Sequence, residues 1–290
     1  MALVTMREVL ADAKENNYAV GSFNAIDVNM VRGLIAAAEQ ERSPIIIELG
    51  QGQFRFTPPE VLAPVMVQLA KEATVPVVVH LDHGKDINVC VRALKLGFSS
   101  VMYDGSANSF EVNVANTKEV IRFAQHYGAS VEAEIGKVGN AETGDEDEVS
   151  VATEIEADQL TTPEEARAFM YECNVDALAV AFGTAHGKYH GTPKLDFDRL
   201  AEISSQNDVP IVMHGGSGLG DEVYKKAIAA GACKINYFTG MSNDVGKACV
   251  DKLTSGEDAY YHDAVLTAVE VTKNHAARMM HVFGSAGRVK

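Results

Sequence analysis

The sequence predicts an α/β protein of the (β/α)8 TIM-barrel class, a single domain over residues 1–290 with a C-terminal helical extension. Three observations predict it. Apolar runs of strand type recur at roughly thirty-residue intervals, each is followed by a segment of helical periodicity, and eight such pairs fill about 250 residues. A parallel strand covered on both faces reads as a continuous β-branched run rather than an alternation, and Val75-Pro-Val-Val-Val-His-Leu-Asp-His-Gly84 is the clearest case.

The eight strands are expected near Ala19–Asn24, Pro44–Leu49, Val75–Leu81, Ser99–Tyr103, Ser130–Ile135, Ala177–Phe182, Pro210–Met213 and Ala232–Phe238. Thr57-Pro-Pro-Glu60 and Thr162-Pro-Glu-Glu165 each read as a helix start, with a capping hydroxyl, an early proline and a glutamate at the third position. Gly97, Gly128 and Gly231 mark helix ends. Two segments break the alternation. Residues 136–158, with Asp145-Glu-Asp-Glu148 and glycines at 139 and 144, are too long and acidic for an ordinary βα loop and are expected to form a mobile flap over the barrel mouth. The last fifty residues are expected to be helical, over about 241–283, with Asp258–Phe283 rich in Ala, Val and Met at helical spacing, suited either to barrel packing or to a subunit interface.

Composition excludes several functions. A net charge of −15 and the lack of a basic stripe interleaved with aromatics argue against nucleic acid as a partner. The chain carries no charge-free apolar run of membrane length, and its start lacks the pattern of a signal peptide, so cytoplasmic residence is the default expectation. Cysteines 90, 173, 233 and 249 form no CxxC pair and are expected to be reduced and structural. An acidic chain can still bind phosphorylated metabolites through backbone N–H groups and a metal.

The chemistry is concentrated where strands stop. The third expected strand ends on Asp82-His83, the sixth runs into Gly183-Thr-Ala-His186-Gly187, and the seventh into His214-Gly-Gly-Ser-Gly218. In a barrel these tips share the carboxyl-end rim, where active sites lie. Three histidines there form a candidate ligand set for a zinc ion with one open position; the alternative is three unrelated active-site or core histidines. Gly215-Gly-Ser-Gly218 precedes a helical stretch, so its amides can point at a phosphate or simply form a tight turn. Glu132 and Glu134 are candidates to orient the second ring nitrogens, with Glu134 open between that role and a ligand's. His80 is either core or a partner to the site, whereas His126, His262, His275 and His281 lie in helical stretches as surface or packing residues and His190 in a loop.

Together, His80-Leu-Asp-His-Gly84, Asp104-Gly-Ser106, Val131-Glu-Ala-Glu-Ile-Gly136, Gly183-Thr-Ala-His-Gly187, His214-Gly-Gly-Ser-Gly218 and Lys234-Ile-Asn236 resemble the signature set of the class II, zinc-dependent ketose-bisphosphate aldolases, over nearly the whole chain and in family order. The resemblance implies that His83, His186 and His214 bind a catalytic Zn2+, with Asp104 and Glu134 at positions that hold a second or displaced divalent metal; a monovalent cation is also compatible with it. It further implies that Asp82 exchanges a proton with the ketose C4 oxygen and that Glu142, on the flap, takes the proton from the donor ketone. Asn24, Gly187, Gly215, Gly216, Ser217, Asn236, Tyr237, Phe238 and Thr239 correspond to the site for dihydroxyacetone phosphate. The implied reaction is reversible cleavage of a phosphorylated ketose, similar to fructose or tagatose 1,6-bisphosphate, in carbohydrate metabolism such as glycolysis. The implied assembly is a homodimer or homotetramer.

The resemblance thins at the eighth strand. Asn236-Tyr-Phe-Thr-Gly-Met-Ser242 places Phe238 where family members tune sugar stereochemistry and Ser242 near an expected basic residue. Gly50 stands for a common serine, and Gly139-Asn140 for two glycines. The donor half therefore matches and the acceptor half differs, which suits an aldehyde other than glyceraldehyde 3-phosphate. Three rival readings stay open. A Schiff-base aldolase would use Lys188 or Lys234, although Lys234 equally suits snorkelling or a pair with a strand-end carboxylate. A metal-dependent hydrolase would want an HxH pair, which Phe23-Asn24-Ala-Ile-Asp27 lacks. The third is a paralogue that acts on a different phosphoketose or binds a sugar phosphate without turnover.

Overall fold

The computed structural model describes residues 2–138, 159–187, 189, 193–256 and 258–290. Eight parallel strands close into a barrel in chain order: β1 (Val20–Asn24), β2 (Ile45–Gly50), β3 (Val77–Gly84), β4 (Ser100–Tyr103), β5 (Ser130–Ile135), β6 (Ala177–Val180), β7 (Ile211–Met213) and β8 (Ala232–Tyr237). Register runs around the ring, from Ser22 beside Ile46 to Val20 beside Lys234, which closes the sheet. Most helices between strands pack against the outer face: α2 (Val28–Glu41), α3 (Pro59–Glu72), α4 (Ile87–Lys95), α5 (Phe110–Tyr127), α6 (Pro163–Glu172), α7 (Phe197–Ser205) and α8 (Asp221–Ala229). Side chains alternate across a strand, so Phe23, Ile47, Val79 and Leu81 meet these helices in one large apolar cluster while their neighbours fill the barrel.

The filling is layered. Steps of two along the strands read Val20-Ser22-Asn24, Ile46-Glu48-Gly50 and Val78-His80-Asp82, apolar at the amino end and polar toward the mouth. The apolar end is closed by a helix that the sequence reading did not anticipate, α1 (Met6–Glu15). Its Met6, Val9, Leu10 and Ala13 pack on Val20, Ile46, Val78 and Val212, and the Arg7 amide donates to Ser130 Oγ at 3.1 Å.

Two C-terminal helices follow β8. In α9 (Thr239–Thr254) and α10 (Tyr261–Phe283) the apolar face of the second is spent on barrel packing: Thr272, Ala276, Met279, Met280 and Phe283 are buried, against α2, α9 and β1.

Two local expectations are corrected. Thr57 does not cap α3, because its hydroxyl is committed to the Ile26 carbonyl at 2.6 Å and Pro58 takes the cap position without a side-chain bond. β3 runs on through His83 to Gly84, since its end pairs irregularly with β4 rather than stopping at Leu81. Thr162 caps α6 as expected, with Glu165 completing a reciprocal box. Most of the expected flap, residues 139–158 with Glu142, lies outside the described residues, as do Lys188 and His190.

Candidate metal centre and substrate cleft

In a regular strand Asp82 and His83 would point to opposite faces. Here the register slips between Leu81 and Gly84, and His83 adopts φ +48°, a left-handed conformation uncommon for a residue with a Cβ. This bulge turns both side chains into the barrel mouth. The strain, of order 1–3 kcal/mol, is held in place by the Asp104 amide bonded to the Gly84 carbonyl at 2.9 Å.

His186 and His214, from the ends of β6 and β7, reach the same point. His83 Nε2 lies 3.2 Å from His186 Nε2 and 2.9 Å from His214 Nδ1. Tetrahedral zinc with bonds near 2.0 Å spaces its nitrogens about 3.3 Å apart, so the donor set suits such an ion. Two of the remaining ring nitrogens are tethered: His83 Nδ1 to Asp104 Oδ2 at 3.0 Å, and His214 Nε2 to Glu132 Oε1 at 2.8 Å. Asp104 is itself held by the Ser106 amide and hydroxyl, at 3.2 and 2.6 Å. Glu134 completes a second group with His83 and Asp104. Its Oε2 is buried with no hydrogen-bond partner, 3.6 Å from His214 Nδ1 and 3.9 Å from His83 Nδ1.

Burial and the surrounding carboxylates set the charge state of these groups. Burial alone would lower the His83 pKa, but Asp82, Asp104 and Glu134 outweigh it and push it up to about 10. Burial, with Asp104 close by, raises Glu134 to about 8. His186 is lowered to about 3 by burial and by His83, and His214 is held well below its ordinary value by burial, His83 and Lys234, so both rings are neutral and able to ligate. The donor set and the orphaned carboxylate oxygen fit a divalent cation.

Asp82 sits beside this centre, its Oδ1 3.8 Å from His83 Nε2. The Asn236 amide donates to Oδ1 at 3.0 Å and the Asn24 amide to Oδ2 at 3.1 Å. Burial would raise its pKa; His83, His214 and Lys234 keep it below the usual carboxylate range. A cleft opens from Asp82 and His186 and is lined by Asn24, Gly187, Gly215, Gly216, Ser217, Asn236, Tyr237, Phe238 and Thr239, so all nine residues expected at the substrate come together. Gly215, at φ +64°, is required there, since a Cβ would lie 2.5 Å from the Ala185 carbonyl oxygen. Ser217 Oγ accepts the Phe238 and Thr239 amides at 2.9 and 3.0 Å, joining the two loops that form the floor. Among the described residues lining the cleft there is no lysine or arginine.

Two partners escaped sequence reasoning: Glu48 is fully buried within the barrel, and Tyr189 bridges the Ala185 amide (2.8 Å) and the Gly215 carbonyl (2.7 Å). Lys234, a Schiff-base candidate in the sequence, is fully buried with its Nζ 3.0 Å from Glu132 Oε2. A carboxylate inside Pro44-Ile-Ile-Ile-Glu48 was the available signal for Glu48; Tyr189 had none. His80 is core, with Nδ1 2.9 Å from Ser100 Oγ, and His275 meets the Tyr237 hydroxyl at 2.9 Å.

Fold and site define a class: a parallel barrel that gathers three imidazoles and an ionised carboxylate at the carboxyl-end mouth, the layout of a metal-assisted enzyme. The family described as fructose-bisphosphate aldolase class-II matches residues 4–288. A sulfofructosephosphate aldolase of Alkalicoccus urumqiensis is 40% identical, over 100% of this chain and 99% of its own length. A fructose-bisphosphate aldolase of Staphylococcus aureus is 38% identical over 100% of both chains. The crystal structure of the YdjI aldolase from Escherichia coli K12 superposes with a TM-score of 0.83 at 32% identity, covering 99% of this chain and 100% of that one. The chain belongs to the class II fructose-bisphosphate aldolase family and is an aldolase, a carbon–carbon lyase. Among the described residues no helix is long and apolar enough to cross a membrane.

Proposed function

We propose that the protein reversibly cleaves a phosphorylated ketose to dihydroxyacetone phosphate and an aldehyde, with His83, His186 and His214 holding Zn2+ and Asp82 moving the proton. The observation that carries this reading is the convergence of three ring nitrogens beside an ionised carboxylate, at the head of a cleft lined by Gly187, Gly215, Gly216 and Ser217. A divalent ion bound there supplies Lewis-acid stabilisation of the negative charge that develops beside the donor carbonyl. In cleavage the C3–C4 bond breaks and its electrons pass to the donor half. Asp82 takes the C4 hydroxyl proton, and in condensation returns it to the same oxygen. Asn24 and Asn236 fix the carboxylate for that transfer, and Gly187, Gly215, Gly216 and Ser217 shape the phosphate end of the cleft. Asp104 and Glu134 would serve a second divalent ion. Glu142 enters as the base at C3 through the family resemblance alone.

The aldehyde is a separate matter. Phe238 walls the cleft at the position tied to sugar stereochemistry, and Ser242 stands near where the resemblance expects a basic residue, which favours an acceptor other than glyceraldehyde 3-phosphate. The differing substrates in the names of the two relatives accord with an acceptor that varies within the family.

The test incubates zinc-loaded protein with dihydroxyacetone phosphate and a panel of phosphorylated, sulfonated and neutral aldehydes, with products identified by mass spectrometry. A zinc-dependent condensation product is expected, with glyceraldehyde 3-phosphate a poor member of the panel. Borohydride trapping of an imine in zinc-free protein would overturn the metal assignment.

A further inference from the structure

We propose that Lys234 is a positioning residue for proton transfer at Asp82, acting by fixing which end of the Asn236 amide faces that carboxylate. The inference rests on the reading of Asp82 as the proton-transfer group.

An asparagine amide is nearly symmetric in shape and opposite in chemistry at its two ends, one donating and the other accepting. Turned about, Asn236 would set its oxygen against Asp82 Oδ1, acceptor to acceptor. Lys234 prevents this. It lies two residues earlier on β8, hence on the same face, and its ammonium can only donate. Nζ is 2.7 Å from Asn236 Oδ1, while Asn236 Nδ2 is 3.0 Å from Asp82 Oδ1, so a single amide orientation satisfies both neighbours.

Lys234 is itself held from the far side. Its Nζ lies 3.0 Å from Glu132 Oε2 and 3.6 Å from Glu48 Oε2, and Glu48 is anchored by the Ser22 hydroxyl. The other Glu132 oxygen accepts from His214. One ammonium thus ties the Asp82 carboxylate to a ring of the metal centre. Lys234, Glu48 and Glu132 have no solvent exposure, so bulk water does not substitute for these ion-pair contacts. A carboxylate free to rotate would present its oxygen off the line to the substrate hydroxyl, and small misplacements of a reacting group cost rate rather than affinity.

The test uses zinc-loaded full-length protein, dihydroxyacetone phosphate and the best aldehyde of the panel. For Lys234→Met, kcat for condensation is expected to fall about 100-fold, the scale of acid–base assistance, with KM for dihydroxyacetone phosphate within about threefold, because uniform binding is untouched. Exchange of the dihydroxyacetone phosphate carbon-bound proton in D2O, which does not use the C4 oxygen, should persist. Lys234→Gln restores a donor without the charge and should recover at least about tenfold of kcat. The double variant with Asn236→Ala should be no slower than Asn236→Ala alone, since the lysine acts through that amide.

Unchanged kcat in Lys234→Met, equal loss of exchange and condensation, or multiplying effects in the double variant would each overturn the proposal. Should Lys234→Met fail to fold, judged by melting and zinc content, Lys234→Gln decides: near-native kcat supports the proposal and a loss of about 100-fold rejects it. Asp82→Asn separates the two levels. If it turns over normally, the reading of Asp82 fails and the inference with it; if it is inactive while Lys234→Met is not, the inference alone fails.

Discussion

The two ends of the barrel interior are built from the same strands and have opposite character. At the amino end, Val20, Ile46, Val78 and Val212 form a dry layer sealed by Met6 and Leu10 of α1. Toward the mouth, Ser22, Glu48, His80, Glu132 and Lys234 are equally buried and all polar or charged. The first layer stabilises, at about 1.5–3 kcal/mol for each large side chain withdrawn from water. The second costs stability unless every charge is paired, and it is followed by the strained His83. The contrast teaches that the fold is secured at one end of the cylinder so that the other can carry buried charge and a bulge.

Substitutions at each end should therefore separate chemistry from stability. The largest effect is expected from His83→Ala. Turnover should drop by at least about 10³-fold with the loss of the Lewis acid, and zinc per chain, measured by elemental analysis, should fall toward zero. A variant that keeps zinc and turnover would break the contrast from the mouth side. Next, Leu10→Ala should cost about 2–5 kcal/mol in denaturant unfolding through the cavity it leaves, with kcat unchanged. If it slows turnover in the folded protein, the two ends are coupled.

Glu132→Gln touches the boundary between the layers. It weakens the tether on His214, and zinc affinity in competition with a chelator should fall about 10–100-fold. Unaltered affinity would mean that the ring is oriented without it.

The smallest expected effect is a drift with pH. The folded pKa of His83 is raised from 6.5 to about 10 and that of Glu134 from 4.5 to about 8. A raised folded pKa means that the native state binds more protons, so stability falls as pH rises through that window. The melting temperature of zinc-free protein should decline between pH 6.5 and 10. Zinc binding should strengthen over the same range as it displaces the His83 proton. A rising melting curve for the zinc-free protein would contradict the charge balance assigned to the mouth.

Much of the barrel was legible because its strands are buried on both faces. Ser130–Ile135 was placed to the residue, and Ala177–Phe182 and Ala232–Phe238 to within two at one end. The site was legible to the extent that its side chains sit at strand tips. What escaped was non-local. The hydroxyl of Thr57 looked like a cap until a loop from another strand claimed it. α1 carried no signal distinguishing a plug from an ordinary surface helix. Lys234 was legible as a Schiff-base candidate or a partner of a strand-end carboxylate, but not which carboxylates hold it, because those lie on β2 and β5.

By itself the sequence determined which runs form buried strands, where they alternate with helices, and which imidazoles and carboxylates stand at strand ends, because these follow from periodicity and local chemistry. Only the tertiary structure decided that His83 Nε2 meets His214 Nδ1 across 131 residues of chain, that a bulge turns Asp82 and His83 the same way, and that one lysine faces both Glu132 and Asn236. Those outcomes depend on sheet closure and register, which no local run of residues specifies.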